Sequence, residues 1–238
     1  YRTDSDTNSI VKAMEFSASG FEFSMEMAVA NGSLYFHRSA DINQFDGSLF
    51  KSDGTQEGTV SVSSRYRFEE FVALGDDLVL EMGPRDSSQS VDEELYYFDT
   101  STETFSLIKN INNTSQGSKI ESLTPVGNKV YFIADDGVHG REIWRTDGTT
   151  AGTFMVQDLR PGSASSQPAD LTVIGDNVFF IAADASGVFN LWNIDPDTDA
   201  ITRMATYSIQ TLEMVATSEF AFYQAGGSIV RSDGTTSG

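Results

Sequence analysis

The chain is 238 residues long and carries 35 acidic against 15 basic residues, a formal charge of −20 at pH 7, which repels polyphosphate and makes nucleic acid and anionic membrane surfaces poor partners. It has no cysteine, so disulfides, thiolate metal sites and thiol catalysis are excluded together. No apolar run approaches the ~20 residues a spanning helix requires, and no membrane insertion is expected.

The N-terminal YRTDSDTNS, beginning at Tyr1, is a worn copy of a phrase that recurs down the chain. Fuller copies are LFKSDGTQEGT from Leu49, IWRTDGTTAGT from Ile143 and IVRSDGTTSG from Ile229; worn ones are YYFDTSTET from Tyr96 and LWNIDPDTD from Leu191. The aspartate of the phrase falls at Asp4, Asp53, Asp99, Asp147, Asp195 and Asp233. A nearly fixed period, 46 to 49 residues for the first four intervals and 38 for the last, means a repeat architecture. The chain starts without Met and stops inside a repeat, so it is read as processed or excised from something longer, with any leader already lost.

Short strands follow in order. NSIVKAMEF (residues 8–16) matches a fourth strand, after which copy one reads EMAVANG, SLYFHRS, SLFKSDG and TVSVSSR. Copy two reads FVALGDD, LVLEMG, LYYFDT and TFSLIK, and copy three SLTPVG, KVYFIAD, REIWRTD and TFMVQDL. Copy four reads DLTVIGDN, VFFIAAD, NLWNID and AITRMAT, while copy five offers only LEMVAT, FAFYQA and SIVRSDG. β-Branched and aromatic content marks these as strands. Units of four strands that cannot bury their own apolar faces predict an all-β protein: one β-propeller domain over residues 1–238, with five four-stranded blades. Closure is expected through residues 8–16 pairing as the outer strand of blade five against residues 228–233. Because residues 1–4 repeat a third strand that copy five already has, a fragment of a six- to eight-bladed ring is the alternative.

Residues 123–171, LTPVGNKVYFIADDGVHGREIWRTDGTTAGTFMVQDLRPGSASSQPADL, resemble a full copy of the ELWxxDGT repeat family of bacterial proteins. The resemblance covers the glycine turn, the aromatic second strand, DDGxHG, the E-[IL]-W strand, DGTxxGT and the PGxxSSxP linker. It implies repeats in large exported proteins, hence an extracellular or cell-surface location, and no transferable chemistry. The DGT turn also resembles the Asp-box, which is structural in other propellers.

The motifs have direct physical readings. In a D-G-T hairpin Asp caps its own backbone, Gly supplies positive φ and Thr opens the next strand, so Asp53, Gly54, Asp147, Gly148, Asp233 and Gly234 are read as structural turns. Asp195, Asp197 and Asp199 imitate a calcium loop, but the glutamate that such a loop needs eleven residues on is Thr206, and a hairpin turn is favoured. His37 and His139, the only histidines, lack the spacing of a zinc site and are read as solvated. Trp144 and Trp192, aligned with Phe50, Tyr97 and Val230 on third strands, are read as packing between blades rather than sugar-stacking. No nucleophile elbow, P-loop or dinucleotide fingerprint is present.

Loops joining strands one to two and three to four share one side and are nearly identical. Those joining two to three, and each unit to the next, share the other side and vary. Recognition belongs on varied loops of a repeated scaffold. The expectation is a non-enzymatic binding or adhesion module for a protein or glycan partner, with no cofactor; calcium is the one ion considered, at Asp135 and Asp136. Alternatives are a structural spacer or filament subunit, which brings in self-association or neighbouring domains of a longer chain, and a hydrolase at the central channel.

Overall fold

The computed structural model describes residues 2–3, 10–11, 26–38, 48–64, 66–84, 93–114, 116–206, 214–217, 220–225 and 228–232. Among them every regular element is a strand and every pairing given is antiparallel. Copy one forms β3 (Met27–Ala30), β4 (Ser33–Arg38), β5 (Ser48–Ser52) and β6 (Val60–Ser63), after a short pair, β1 (Arg2–Thr3) and β2 (Ile10–Val11). Copy two forms β7 (Tyr66–Leu74), β8 (Asp77–Pro84), β9 (Glu94–Asp99) and β10 (Thr104–Lys109). Copy three forms β11 (Glu121–Val126), β12 (Lys129–Asp135), β13 (Arg141–Thr146) and β14 (Phe154–Gln157). Copy four forms β15 (Ala169–Ile174), β16 (Asn177–Ala183), β17 (Phe189–Asp195) and β18 (Ala200–Thr206), and copy five β19 (Met214–Ala216), β20 (Ala221–Ala225) and β21 (Ser228–Ser232). Each complete copy is one meander of four strands in sequence order.

The expected terminal pairing is not the one observed. Ile10 and Val11 face Thr3 and Arg2, and copy five is a sheet of three strands. The physical reason is local: Arg2–Thr3 is itself a third strand, and a hairpin across a few residues closes at far lower entropic cost than a pairing across the whole chain. Residues 8–9 and 12–16 lie outside the described residues.

Burial follows strand position. Second strands are covered on both faces, as the unbroken apolar runs of β12 and β16 require, whereas the fourth strands β6 and β14 are largely half-buried or exposed. The pairing of third to fourth strand slips by one residue at Leu49/Phe50, Ile143/Trp144 and Leu191/Trp192, the same place in three copies. Such a bulge bends the outer strand identically in each sheet.

The chain divides into two compact units, Tyr1–Leu107 and Ile108–Gly238, the division falling inside β10. In the first unit, Tyr35 and Leu49 of copy one pack with Phe68, Phe71, Leu80 and Phe98 of copy two. In the second, Tyr131, Ile133 and Ile143 of copy three pack with Val178, Phe180 and Ile194 of copy four. A smaller cluster built on Phe179, Ile181 and Leu191 takes Val230 of copy five against it. Within each unit, adjacent sheets thus share cores, each buried side chain contributing roughly 1.5–3 kcal/mol.

Trp192 packs against the shared core of copies three and four, and its Nε1 donates to Ala182 O at 3.0 Å. Trp144 is buried, with Lys109 Nζ 5.9 Å from its ring centroid. The matching residue of copy two is Tyr96, which faces Leu80 as Trp144 faces Phe132. Tyr97 lies one position further on, and its hydroxyl donates to Asp77 Oδ2 at 2.5 Å.

Candidate functional site

In the near-identical turns between third and fourth strands, two copies build the same network atom for atom. Asp53 Oδ1 accepts from Thr55 N at 2.8 Å and Thr55 Oγ1 at 2.7 Å, and Thr55 Oγ1 in turn accepts from Gly58 N at 2.9 Å. Asp147 Oδ1 accepts from Thr149 N at 3.0 Å and Thr149 Oγ1 at 2.7 Å, and Thr149 Oγ1 accepts from Gly152 N at 2.9 Å. Gly54 and Gly148 sit at φ 90° and 87°, where a Cβ would strain the backbone. These hydrogen bonds favour the ionised form and hold the Asp147 carboxyl below its ordinary range. Asp233 and Gly234 lie outside the described residues.

The worn turns keep the cap in shorter form. Asp99 Oδ1 accepts from Ser101 Oγ at 2.6 Å and Ser101 N at 2.8 Å, which brings its pKa down to about 2. Asp195 Oδ1 accepts from Asp197 N at 2.9 Å, so the segment that imitates a calcium loop is a hairpin turn. Its last acid serves the neighbouring sheet: Asp199 Oδ1 accepts from Tyr131 Oη at 2.5 Å and Lys129 Nζ at 3.0 Å, while Arg145 Nε lies 3.4 Å from Oδ2. Burial and this carboxylate hold the Tyr131 phenol well above its usual range. Copy two repeats the device with Glu103, which accepts from Lys51 Nζ at 3.1 Å. Sequence reasoning missed these clamps. The signal was an acid four residues after a worn turn's aspartate, with a Lys or Arg two before the preceding fuller turn's aspartate.

On the varied side, the β12–β13 and β16–β17 loops and the linker between copies three and four are described in full. Asp135 and Asp136 do not converge on one ion. Asp135 Oδ1 accepts from Gly137 N at 2.8 Å and its Oδ2 faces Lys119 Nζ at 3.8 Å. Asp136 Oδ1 accepts from Val138 N and His139 N at 2.9 and 2.8 Å, and its Oδ2 meets His139 Nδ1 at 2.7 Å. Carboxylates engaged in this way fold the loop instead of presenting free oxygens. Among the described residues no three His, Asp or Glu side chains gather as a metal-binding set.

The linker between copies three and four is anchored by Glu142, the glutamate of the E-[IL]-W strand. The residue is fully buried. Its Oε1 accepts from Ser166 N at 3.0 Å, and its Oε2 from Ser166 Oγ at 2.6 Å and Leu159 N at 3.4 Å. Burial raises its pKa, against the lowering effect of those hydrogen bonds. Across the linker, Gly140 at φ 71° lies so close to Ser165 that a Cβ would sit 2.6 Å from Ser165 N. On the far side, Arg160 lies against the β16–β17 loop, its Nη2 3.5 Å from where a Cβ on Gly187 would be. That loop is capped by Asp184 Oδ1, which accepts from Ser186 N at 2.9 Å and Val188 N at 3.1 Å. Two loops and the linker between them therefore form one continuous platform, and its outer tips Val138 and Val188 are 62% and 39% exposed.

The two histidines differ in a way the sequence reading did not anticipate. His37 is buried on β4, edge-on to Phe71 at 6.3 Å, rather than solvated. Burial lowers its pKa, whereas the hydrogen bond to Asp136 raises that of His139. Proton NMR of the two imidazoles is expected to show midpoints on either side of the ordinary value, and Asp136→Asn should bring only the upper one down. Coincident midpoints in the wild type would contradict the geometry. The two linkages to stability have opposite signs: the contribution of His139 is lost as pH rises through its raised pKa, and that of His37 is lost as pH falls below the unfolded value.

No protein-family model matches the chain, and no curated protein matches it in sequence. Solved structures do. A puromycin-hydrolyzing peptidase of Mycobacterium tuberculosis matches with TM-score 0.55 at 10% identity, over 88% of this chain and 34% of that one. Oligogalacturonate lyase of Vibrio parahaemolyticus matches with TM-score 0.54 at 10% identity, over 84% and 62%. The GH74 enzyme of Niastella koreensis matches with TM-score 0.53 at 14% identity, over 87% and 37%. The chain spans between one third and two thirds of the length of these propeller-type neighbours. At such identities the likeness shows the fold alone.

Proposed function

We propose that the chain is a propeller-type repeat module of an exported bacterial protein, akin to the ELWxxDGT proteins, whose varied side binds a protein or glycan partner. The observation that carries this reading is the platform of the second unit. Its loops are rigidified by carboxylates turned inward onto the protein's own N–H groups, while apolar tips are left facing outward. A surface that is ordered before contact binds without the entropic cost of ordering loops on association. Catalysis is the weaker reading, although hydrolases and lyases share the fold. Asp136, Glu142 and Asp184 each commit carboxylate lone pairs to the loops, and a general acid or base needs a free face toward substrate.

Glycan and peptide arrays probed with the wild type, a Val138→Ser/Val188→Ser variant and Glu103→Gln test the reading. Glu103 lies in the turn between β9 and β10, outside the platform, and all three proteins should melt alike. Specific binding that falls about tenfold or more in the valine variant and is unmoved in Glu103→Gln is expected. Blank arrays, or equal loss in both variants, would overturn it.

A further inference from the structure

We infer that Arg160 is the anchor of this platform and that its partner is a protein segment presenting a single carboxylate between aliphatic side chains; this rests on the binding reading above. A guanidinium has five N–H donors. Arg160 gives one hydrogen bond, from Nη1 to Ser165 O at 3.4 Å, and forms no ion pair among the described residues. This is unusual in a chain with 35 acids for 15 bases. Neighbouring cations of the same loops are already spoken for, since Arg141 pairs with Glu121, Arg203 with Asp184 and Lys119 with Asp135.

Position adds to this. The guanidinium faces Gly187, its Nη2 3.5 Å from where a Cβ there would sit, next to the exposed Val188. Its acceptor residue, Ser165, abuts Gly140, two residues from the exposed Val138. A planar donor fork on a platform that also carries two exposed aliphatic tips matches a carboxylate with apolar neighbours, because the fork takes both oxygens side by side. Charge chooses among anions. A molecule at −20 repels sulfated or phosphorylated polyanions at long range, and that repulsion grows with ligand charge. A singly charged carboxylate in an apolar segment is the anion least opposed.

The test uses the full chain and a panel of immobilised hexapeptides, each carrying one Asp or Glu between aliphatic residues and each paired with its Asn or Gln counterpart. The wild type should retain acidic members about tenfold or more over their amide counterparts, the size of one charge-assisted contact. Arg160→Gln should abolish the preference with an unchanged Tm, Arg160→Lys should restore part of it, and Val188→Ser should weaken all retention. Equal retention of acid and amide peptides, or a preference intact in Arg160→Gln, overturns the role of Arg160 and leaves the binding module standing. Retention of glycans alone overturns the peptide partner. Silence from peptides and glycans together removes both readings.

Discussion

Replacing Glu142 by alanine is expected to cost about 3 kcal/mol, because it strips the acceptor from two buried amides and a hydroxyl at once. Ser166 is fully buried and Leu159 nearly so, so water cannot take the vacated place cheaply. Part of the loss is offset, since the wild type carries the desolvation of a buried carboxyl. Glu142→Gln should therefore cost only about 1 kcal/mol: its carbonyl keeps the Ser166 amide, and its NH2 can donate to Ser166 Oγ. Urea midpoints at neutral pH separate the two, and equal losses would show that the carboxylate does not anchor the linker.

The pH profile supplies a second readout of the same residue. The folded pKa of Glu142 is raised, so between the ordinary glutamate value and the raised one the native state holds more protons than the unfolded chain. Stability from this group is then greatest at low pH and declines as pH rises through that window. The capping aspartates act in the opposite sense. Asp136 and Asp147 have lowered pKa values, and their contribution, present above the unfolded value, is lost as pH falls. Glu142→Gln should remove the declining limb and leave acid unfolding in place.

The repeat made strand order legible because a strand needs only local pattern and a turn residue. The turn aspartates were legible for the same reason: Asp147 reaches its donors within two residues. Glu142 was not, since its partner Ser166 is 24 residues away, and a lone Glu in a strand carries no sign of what will fold over it. The Asp199 clamp spans 68 residues to Tyr131 and depends on two copies lying side by side. The terminal closure expected from strand count gave way to a local partner: the third-strand repeat in residues 1–4 was visible in the sequence, but not that Arg2–Thr3 would take Ile10–Val11 for itself. His37 was misread because its place near the end of a strand concealed that Phe71 of the next copy covers it.

The second glycine of DGTxxGT is expected to be as stringent as the first, for a different reason. Gly152 and Gly58 are absent from the positive-φ residues, so alanine would fit their backbone. It would not fit the turn. A Cβ on Gly152 would lie 2.0 Å from Asp147 Oδ1, and one on Gly58 2.1 Å from Asp53 Oδ1. The carboxylate occupies the space a side chain would take, and it cannot swing aside without losing Thr149 N and Thr149 Oγ1. Gly152→Ala should thus cost about 2 to 3 kcal/mol, as overpacking does, and Asp147→Ala about 1 to 2 kcal/mol for two hydrogen bonds. The double variant should cost little more than Asp147→Ala alone, because removing the carboxylate makes room for the methyl group. A double-mutant cycle in urea then returns a coupling of about 2 kcal/mol. The worn turns agree with this account: β10 and β18 begin five residues after Asp99 and Asp195, against seven after Asp53 and Asp147, and neither shorter turn carries a second glycine. Additive losses, within about 0.5 kcal/mol, would mean that the glycine answers to something other than the carboxylate beside it.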